Sequence, residues 1–436
     1  MRGFENPWRT WLLVVLCLVL AFTLGAGVVE GKTKKSGGNC EGTKKQRKQK
    51  MDERSISDEQ LEAMAREHRE TVLAERERMK ESILRRLERK YEEHQASGAP
   101  FVYDILVISG GGAKGAFGAG FLEAWGSVTS ESHARPEFDM ITGVSTGALI
   151  APFAFIGTEE SYAHVARFYA NPEPDWVKPR KPFALLPKRP STLNNCHLQD
   201  TLRAGMDRSI VQAVADGAAE DRLLLIGATN LDIGVGRVFD LGLEARRALE
   251  RDEFDRVHSI LLASSAIPGA FPPIEIDGML HTDGGATSNL FITTFPGPDG
   301  PLARFLARHP QGPRPKVRVW ILVNQQLWPQ SAVTQPKWLS VSGRAIKTLT
   351  SSSQIFALAL IRYMAFEAST ERGVDVELRL VSIPEDAPKK TTKEMFDRDY
   401  MRQLEELGRE MGADPSSWQT SIPSPDAVQG NWLESD

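Results

Sequence analysis

The stretch VYDILVISGGGAKGAFGAGFLEAW, Val102–Trp125, joins an apolar run to a glycine bend and the bend to a helical pattern. Val102–Ile108 reads as a buried strand, and GAFGAGFLEAW as a helix packed closely on it. Six glycines fall within the seventeen positions Ser109–Trp125. Glycine at a strand end marks backbone that turns where a Cβ would clash, or that must approach something closely. The same alternation recurs downstream. FDMITGV reads as a strand leading into the helix STGALIAPFAFIG, and further strands are predicted at RLLLIGATNLD, GRVFDL, KVRVWILVN and VELRLVSI. Strand–helix alternation predicts an α/β fold, a mainly parallel sheet sandwiched by helices on both faces.

Around this centre the chain changes character several times. Its 436 residues are 41% hydrophobic and 25% charged with a formal net charge of −4, enough for a sizeable core and without a general pull toward nucleic acid. Three cysteines, Cys17, Cys40 and Cys196, are too few and too scattered for a disulfide framework or a zinc site. No metal or other cofactor is expected. Trp11–Val29 carries no charge and, as a helix, would span about 28 Å, close to the bilayer hydrocarbon thickness. Residues 1–30 are therefore expected to form a membrane anchor. A cleaved signal is the other reading, with Gly25-Ala26-Gly27 offering small residues for cleavage. The lysines and arginines of 31–50, a basic linker, outweigh Arg2 and Arg9, and the side of the membrane stays open. Residues 51–97 read as a long charged amphipathic helix. Ser57-Asp58-Glu59-Gln60 is its capping box, Leu61, Met64, Val72, Met79, Ile83, Leu87 and Tyr91 its apolar stripe, and Ser97-Gly98-Ala99-Pro100 its end. A second apolar stripe, Ile355, Leu358, Ile361 and Met364 with Phe366, reads as core, with an acyl-chain wall or a membrane-facing surface as the other reading. Residues 421–436 read as a loose tail.

The chemistry gathers at three places. Gly143-Val144-Ser145-Thr146-Gly147 is a G-x-S-x-G pentapeptide between a strand and a helix. That context is a nucleophile elbow, a turn so tight that only small flanking residues fit, with the serine oxygen thrust out at the helix start. Acyl transfer also needs donors for the developing oxyanion, and one such donor is worth about 3–4 kcal/mol of barrier. Amides of Gly110, Gly111 and Gly112, at a strand end and opening a helix, are placed for that task. The same glycines match a dinucleotide fingerprint through Gly115. However, no acidic residue closes the following strand, and Gly115 stands where a phosphate-binding loop needs Ser or Thr after Lys114. The third place is Asp283-Gly284-Gly285, where glycines hold an aspartate on a sharp turn.

Taken in order, SGGGAKGAFGAGFL, GVSTG, ASSAIPGAFPPI and TDGGATSN resemble the patatin-like phospholipase family over about 190 residues. The resemblance implies the family's three-layer fold in residues 101–297, completed by an α/β extension in 298–420. It also implies a Ser–Asp dyad without histidine: Ser145 as nucleophile, Asp283 as base, the glycine bend as oxyanion hole. Gly143, Gly147, Gly284 and Gly285 frame the two side chains, and Lys114 stands where the family carries Arg or Lys, to hold the loop or an anionic head group. A conventional triad would instead need His281, two residues from Asp283 and on the same strand face. The expected function is hydrolysis of carboxylic esters of lipids by a membrane-associated serine hydrolase. The alternative is a non-catalytic membrane scaffold with a patatin-like shell. The lipid class and the oligomeric state are not legible in the sequence.

Overall fold

The structure, a computed structural model, describes residues 56–173, 176–179, 191–293, 297–328, 330–420 and 422. The expected anchor, the basic linker and nearly all of the expected tail lie outside them. Among the described residues no helix is long and apolar enough to cross a membrane.

A forty-residue helix, α1 (Asp58–Ser97), comes first, and its start follows the local code. The Ser57 side chain accepts from the Gln60 amide while the Gln60 side chain reaches back to the Ser57 amide. Gly98 ends the helix in the left-handed conformation, φ +71°. Besides a short two-stranded ribbon of Lys178–Pro179 with Leu193–Asn194, the strands of the central sheet are β1 (Val102–Ile108), β2 (Met140–Val144), β3 (Leu223–Asn230), β4 (Val235–Asp240), β5 (Ile274–Ile276), β6 (Met279–Asp283), β7 (Lys316–Val323) and β8 (Asp375–Ser382). They form one sheet in the order β8-β7-β1-β2-β3-β6-β5, with β4 also paired to β3. The run β8 to β3 is parallel throughout. Strands β4 and β6 join β3 antiparallel, and β5 joins β6 the same way. The mainly parallel sheet is thus present, with an antiparallel extension at one side.

Alternation of side chains along each strand feeds two cores. Leu106 and Ile108 of β1 enter one, with Ile141, Leu224, Leu322 and a cluster of aromatic side chains from α2 (Gly115–Trp125) and α3 (Thr146–Ile156). Ile105 and Val107 enter the other, with Leu225, Val319 and Ile321 under α1 and under α10 (Trp338–Arg372). Between α3 and α10 in sequence lie α4 (Glu159–Ala170), α5 (Cys196–Gly205), α6 (Arg208–Ala219), α7 (Leu241–Arg251), α8 (Asp255–Ser264) and α9 (Pro301–Arg308); α11 (Arg398–Gly412) comes after α10.

The pairing of β3 decides where the site lies. Strand β3 pairs with β4 along one edge, from Leu225 to Asn230. On its other edge β2 runs beside Leu223–Gly227, and β6 runs antiparallel beside Ala228–Asn230. Val144 sits opposite Gly227 and Asp283 opposite Ala228. Strands β2 and β6 therefore approach head to head along one neighbour. The turn that leaves β2 at Ser145 meets the last residue of β6, Asp283.

Candidate active site

At that meeting point the chain turns from β2 into α3 through Ser145, whose φ of 54° and ψ of −122° are costly for a residue with a Cβ. Such strain is worth of order 1–3 kcal/mol and persists only where the surroundings fix it. They do so here by contact. A Cβ on Gly143 would collide with the Gly147 carbonyl, and one on Gly147 with the carbonyls of Ile108 and Ser109. The Ser145 amide donates to Ser264 Oγ at 3.0 Å, and Ser264 Oγ donates to the Gly227 carbonyl at 2.6 Å, tying the elbow to β3.

Ser145 Oγ donates to Asp283 Oδ2 at 2.6 Å, and the Gly285 amide donates to Asp283 Oδ1 at 2.8 Å. Both side chains are buried, each residue 6% exposed. Burial pushes the Asp283 carboxyl up from its usual range to about 6, against the opposing pull of its bonds from Ser145 and Gly285. A carboxylate so raised is a better proton acceptor than an exposed one. Gly284 and Gly285 form a 3-10 turn directly after it, and Gly284 packs against Gly227 too closely to admit a side chain.

The glycine bend arrives from the far side. Gly110 lies so close to Ser145 that a Cβ there would stand 3.1 Å from the Ser145 Cβ. Its amide, however, donates to the Asn289 carbonyl at 3.0 Å. The expectation that all three glycine amides are free is corrected at this position: Gly110 is held by Asn289 and has no N–H left for an oxyanion. Gly111 and Gly112 donate to none of the described residues. Gly112 takes a positive φ of 58°, which turns the chain into a 3-10 turn through Lys114 and then into α2 at Gly115. Lys114 has no carboxylate partner among the described residues. Burial first, and the nearby Lys347 second, hold its ammonium below the usual lysine range.

The histidine is elsewhere. His281 Nδ1 faces the Met279 carbonyl at 3.0 Å, and its ring packs against Phe239. Burial drives its pKa down to about 4, so it is neutral at ordinary pH. It bonds to neither Ser145 nor Asp283.

Several residues at the site were not singled out from the sequence. Ser264 and Asn289 sit inside the quoted motifs ASSAIPGAFPPI and TDGGATSN but carry no catalytic signature of their own. Asn324, just past β7, braces the bend: its amide donates to Ser109 Oγ at 2.8 Å and its Nδ2 to the Ser109 carbonyl at 2.9 Å. Gln354 of α10 accepts from Asn289 Nδ2 at 2.9 Å. No sequence signal marks these last two, since both act from beyond the motif region.

A strained serine at a strand–helix turn, bonded to a desolvated carboxylate, defines an α/β protein of the nucleophile-elbow class. Within that class, residues 106–296 match the model of the patatin-like phospholipase family. That match supports lipid hydrolysis as the general activity. Among solved structures, VipD from Legionella pneumophila is 11% identical, with 74% of this chain and 68% of that chain covered at a TM-score of 0.35. No curated protein matches the chain in sequence.

Proposed function

We propose that the protein hydrolyses carboxylic esters of lipids through an acyl-enzyme on Ser145, with Asp283 as the base and the Gly111 and Gly112 amides as the oxyanion hole. The observation that carries this reading is the 2.6 Å contact between Ser145 Oγ and Asp283 Oδ2, made at a strained elbow. In the first half-reaction the Ser145 oxygen bonds to the acyl carbon and its proton passes to Asp283. The carbonyl oxygen becomes an anion held by the two amides. The intermediate collapses as the alkoxide leaves and takes the proton from Asp283. In the second half, Asp283 removes a proton from water, which attacks the acyl-serine. The bond to Ser145 breaks, the fatty acid departs, and Ser145 recovers the proton. The positive end of α3 lies under Ser145 and favours the anion. Lys114 is proposed to hold the bend or an anionic head group. The Trp11–Val29 stretch is proposed as the tether to a membrane, and 101–420 as the catalytic unit.

A fluorophosphonate probe tests the chemistry. Labelling of the full chain that disappears in Ser145→Ala supports it; no labelling favours a non-catalytic scaffold, and labelling that survives the substitution places the nucleophile elsewhere. Fatty-acid release from defined phospholipids, lysophospholipids and triacylglycerols identifies the substrate class. The route draws only on Ser145, Asp283 and backbone amides, so turnover is expected to persist in a chelator.

A further inference from the structure

Helix α10 has two apolar faces, and only one is covered. Ile355, Leu358 and Ile361 are buried in the core against the sheet. Ile346, Leu349, Phe356, Leu360, Tyr363 and Phe366 are each more than half exposed. Their steps of three, seven, four, three and three keep them on one side of a helix over about 30 Å. An exposed apolar face of this length on a folded protein marks an interaction surface. The charges beside it name its occupant. From Trp338 to Phe366 the helix carries Arg344, Lys347 and Arg362 and no Asp or Glu; Glu367, which follows, is paired with Arg372. Arg362, at the margin of the face, is exposed and, among the described residues, paired with no carboxylate, whereas Lys347 lies one heptad before Gln354, on the side of the glycine bend. A second copy of the same face would set like charges against one another. The apolar stretch Trp11–Val29 of this chain brings no anion to meet them. An anionic lipid surface offers both an apolar layer and negative head groups.

Two further contacts tie this face to the rest of the molecule. Val72 of α1 lines a groove with Leu360 and Tyr363, and the neighbouring Leu73 is exposed. Helix α1 is reached from Val29 by a segment that spans at most about 100 Å, so a tether at 11–29 would hold α10 within reach of the same membrane. On its covered side α10 holds Asn289 through Gln354, and the Asn289 carbonyl holds the amide of Gly110. Lys347 also stands close enough to lower the pKa of Lys114 on the glycine bend.

We infer that the exposed face of α10, from Ile346 to Phe366, lies in the headgroup layer of an anionic membrane and holds the catalytic domain at the lipid surface. This extends the lipid-hydrolase reading, but the surface and the chemistry fail separately. The test uses the full chain in phosphatidylcholine vesicles, with and without phosphatidylserine, doped with a diazirine-bearing phospholipid; photolabelled peptides are then mapped by mass spectrometry. Label is expected on peptides covering Ile346–Phe366, and more of it with phosphatidylserine. Arg362→Ala is expected to reduce that gain roughly fivefold. The triple variant Phe356→Gln, Leu360→Gln, Phe366→Gln changes exposed side chains only. It is expected to lose about tenfold or more in hydrolysis of vesicle lipid while keeping turnover of a soluble short-chain ester. Label confined to the N-terminal stretch overturns the inference. So does cross-linking of α10 to α10 between copies in vesicle-free solution, or vesicle hydrolysis unaffected in the triple variant. Absence of ester turnover in the unaltered chain would instead overturn the catalytic reading and leave the labelling result standing.

Discussion

At Asp283 one carboxyl is asked to be buried and ionised at once, and the conflict has two measurable consequences. With a pKa near 6, Asp283, the proposed base, is protonated in mild acid. The rate constant kcat/KM is therefore expected to fall about tenfold per pH unit below that value. A limb centred near 4 would mean that Asp283 is solvated and not the base. The second consequence concerns stability. The folded pKa lies above the unfolded one, so the folded state binds the proton more tightly. Stability present at low pH is then lost as pH rises from about 4 through about 6, by roughly 3 kcal/mol. Asp283→Asn removes the buried charge. It is expected to abolish esterase activity while raising the urea midpoint at neutral pH; a variant both inactive and less stable would contradict this account. His281 makes the contrast. It is neutral and turned toward Met279. His281→Gln is therefore expected to keep kcat/KM within a factor of a few, whereas loss of a true general base costs about 10²–10⁴.

At the scale of elements, α1 illustrates how a charged helix is held to a body it does not belong to by sequence motif. Met79, Ile83, Leu84 and Leu87 enter the core, and Arg86 crosses to Asp139 at the foot of β2, Nε to Oδ1, at 2.7 Å. Asp139 also receives Lys90 at 3.1 Å and the Asp104 amide at 2.7 Å, and its side chain is fully buried. Removing its charge leaves the buried Arg86 only the more distant, exposed Glu220 at 3.8 Å and Glu137 at 4.0 Å, so Asp139→Asn is expected to cost about 3 kcal/mol in urea unfolding. A cost under about 1 kcal/mol would mean that α1 is held by its apolar side chains and its other ion pairs, such as Arg85 and Arg89 to Asp221. What was legible in the sequence was local. The capping box at Ser57 and Gln60, the glycine stop at Gly98 and the elbow at Gly143–Gly147 each encode their geometry within five residues. The β5–β6 hairpin was legible but not singled out: Asp277-Gly278, both at positive φ, is the dipeptide that two-residue hairpins favour. The second face of α10 escaped because periodicity finds apolar positions but not which of two stripes the body covers. The reading as core holds for Ile355, Leu358 and Ile361, while Phe366 lies on the open side.

For the whole molecule, adjacency is the information that no local pattern carries. Nothing within the motifs says that β2 and β6 share one edge of β3, although the site exists only because they do. Nor do they say that the sheet needs strands from outside the region that matches the family. That region ends at residue 296, yet β7 and β8 come from Lys316–Val323 and Asp375–Ser382. Strand β7 pairs with β1 along its whole length, from Val102 opposite Lys316 to Ile108 opposite Leu322. Trp320 is fully buried and its ring meets those of Trp125 and Trp418. Asn324 then fastens the bend that positions Gly110–Gly112. A chain ending at residue 297 would leave β1 as an open apolar edge, an invitation to aggregate, and would strip both cores of one wall. It is therefore expected to accumulate as insoluble protein, or, if recovered, to exchange the amides of β1–β3 within seconds and to bind no fluorophosphonate. Slow exchange in those strands together with a cooperative unfolding transition would show the matched region to be a folding unit by itself. In that case residues 298–420 would be an accessory layer, and the bracing of the glycine bend by Asn324 and Gln354 would be dispensable to the chemistry.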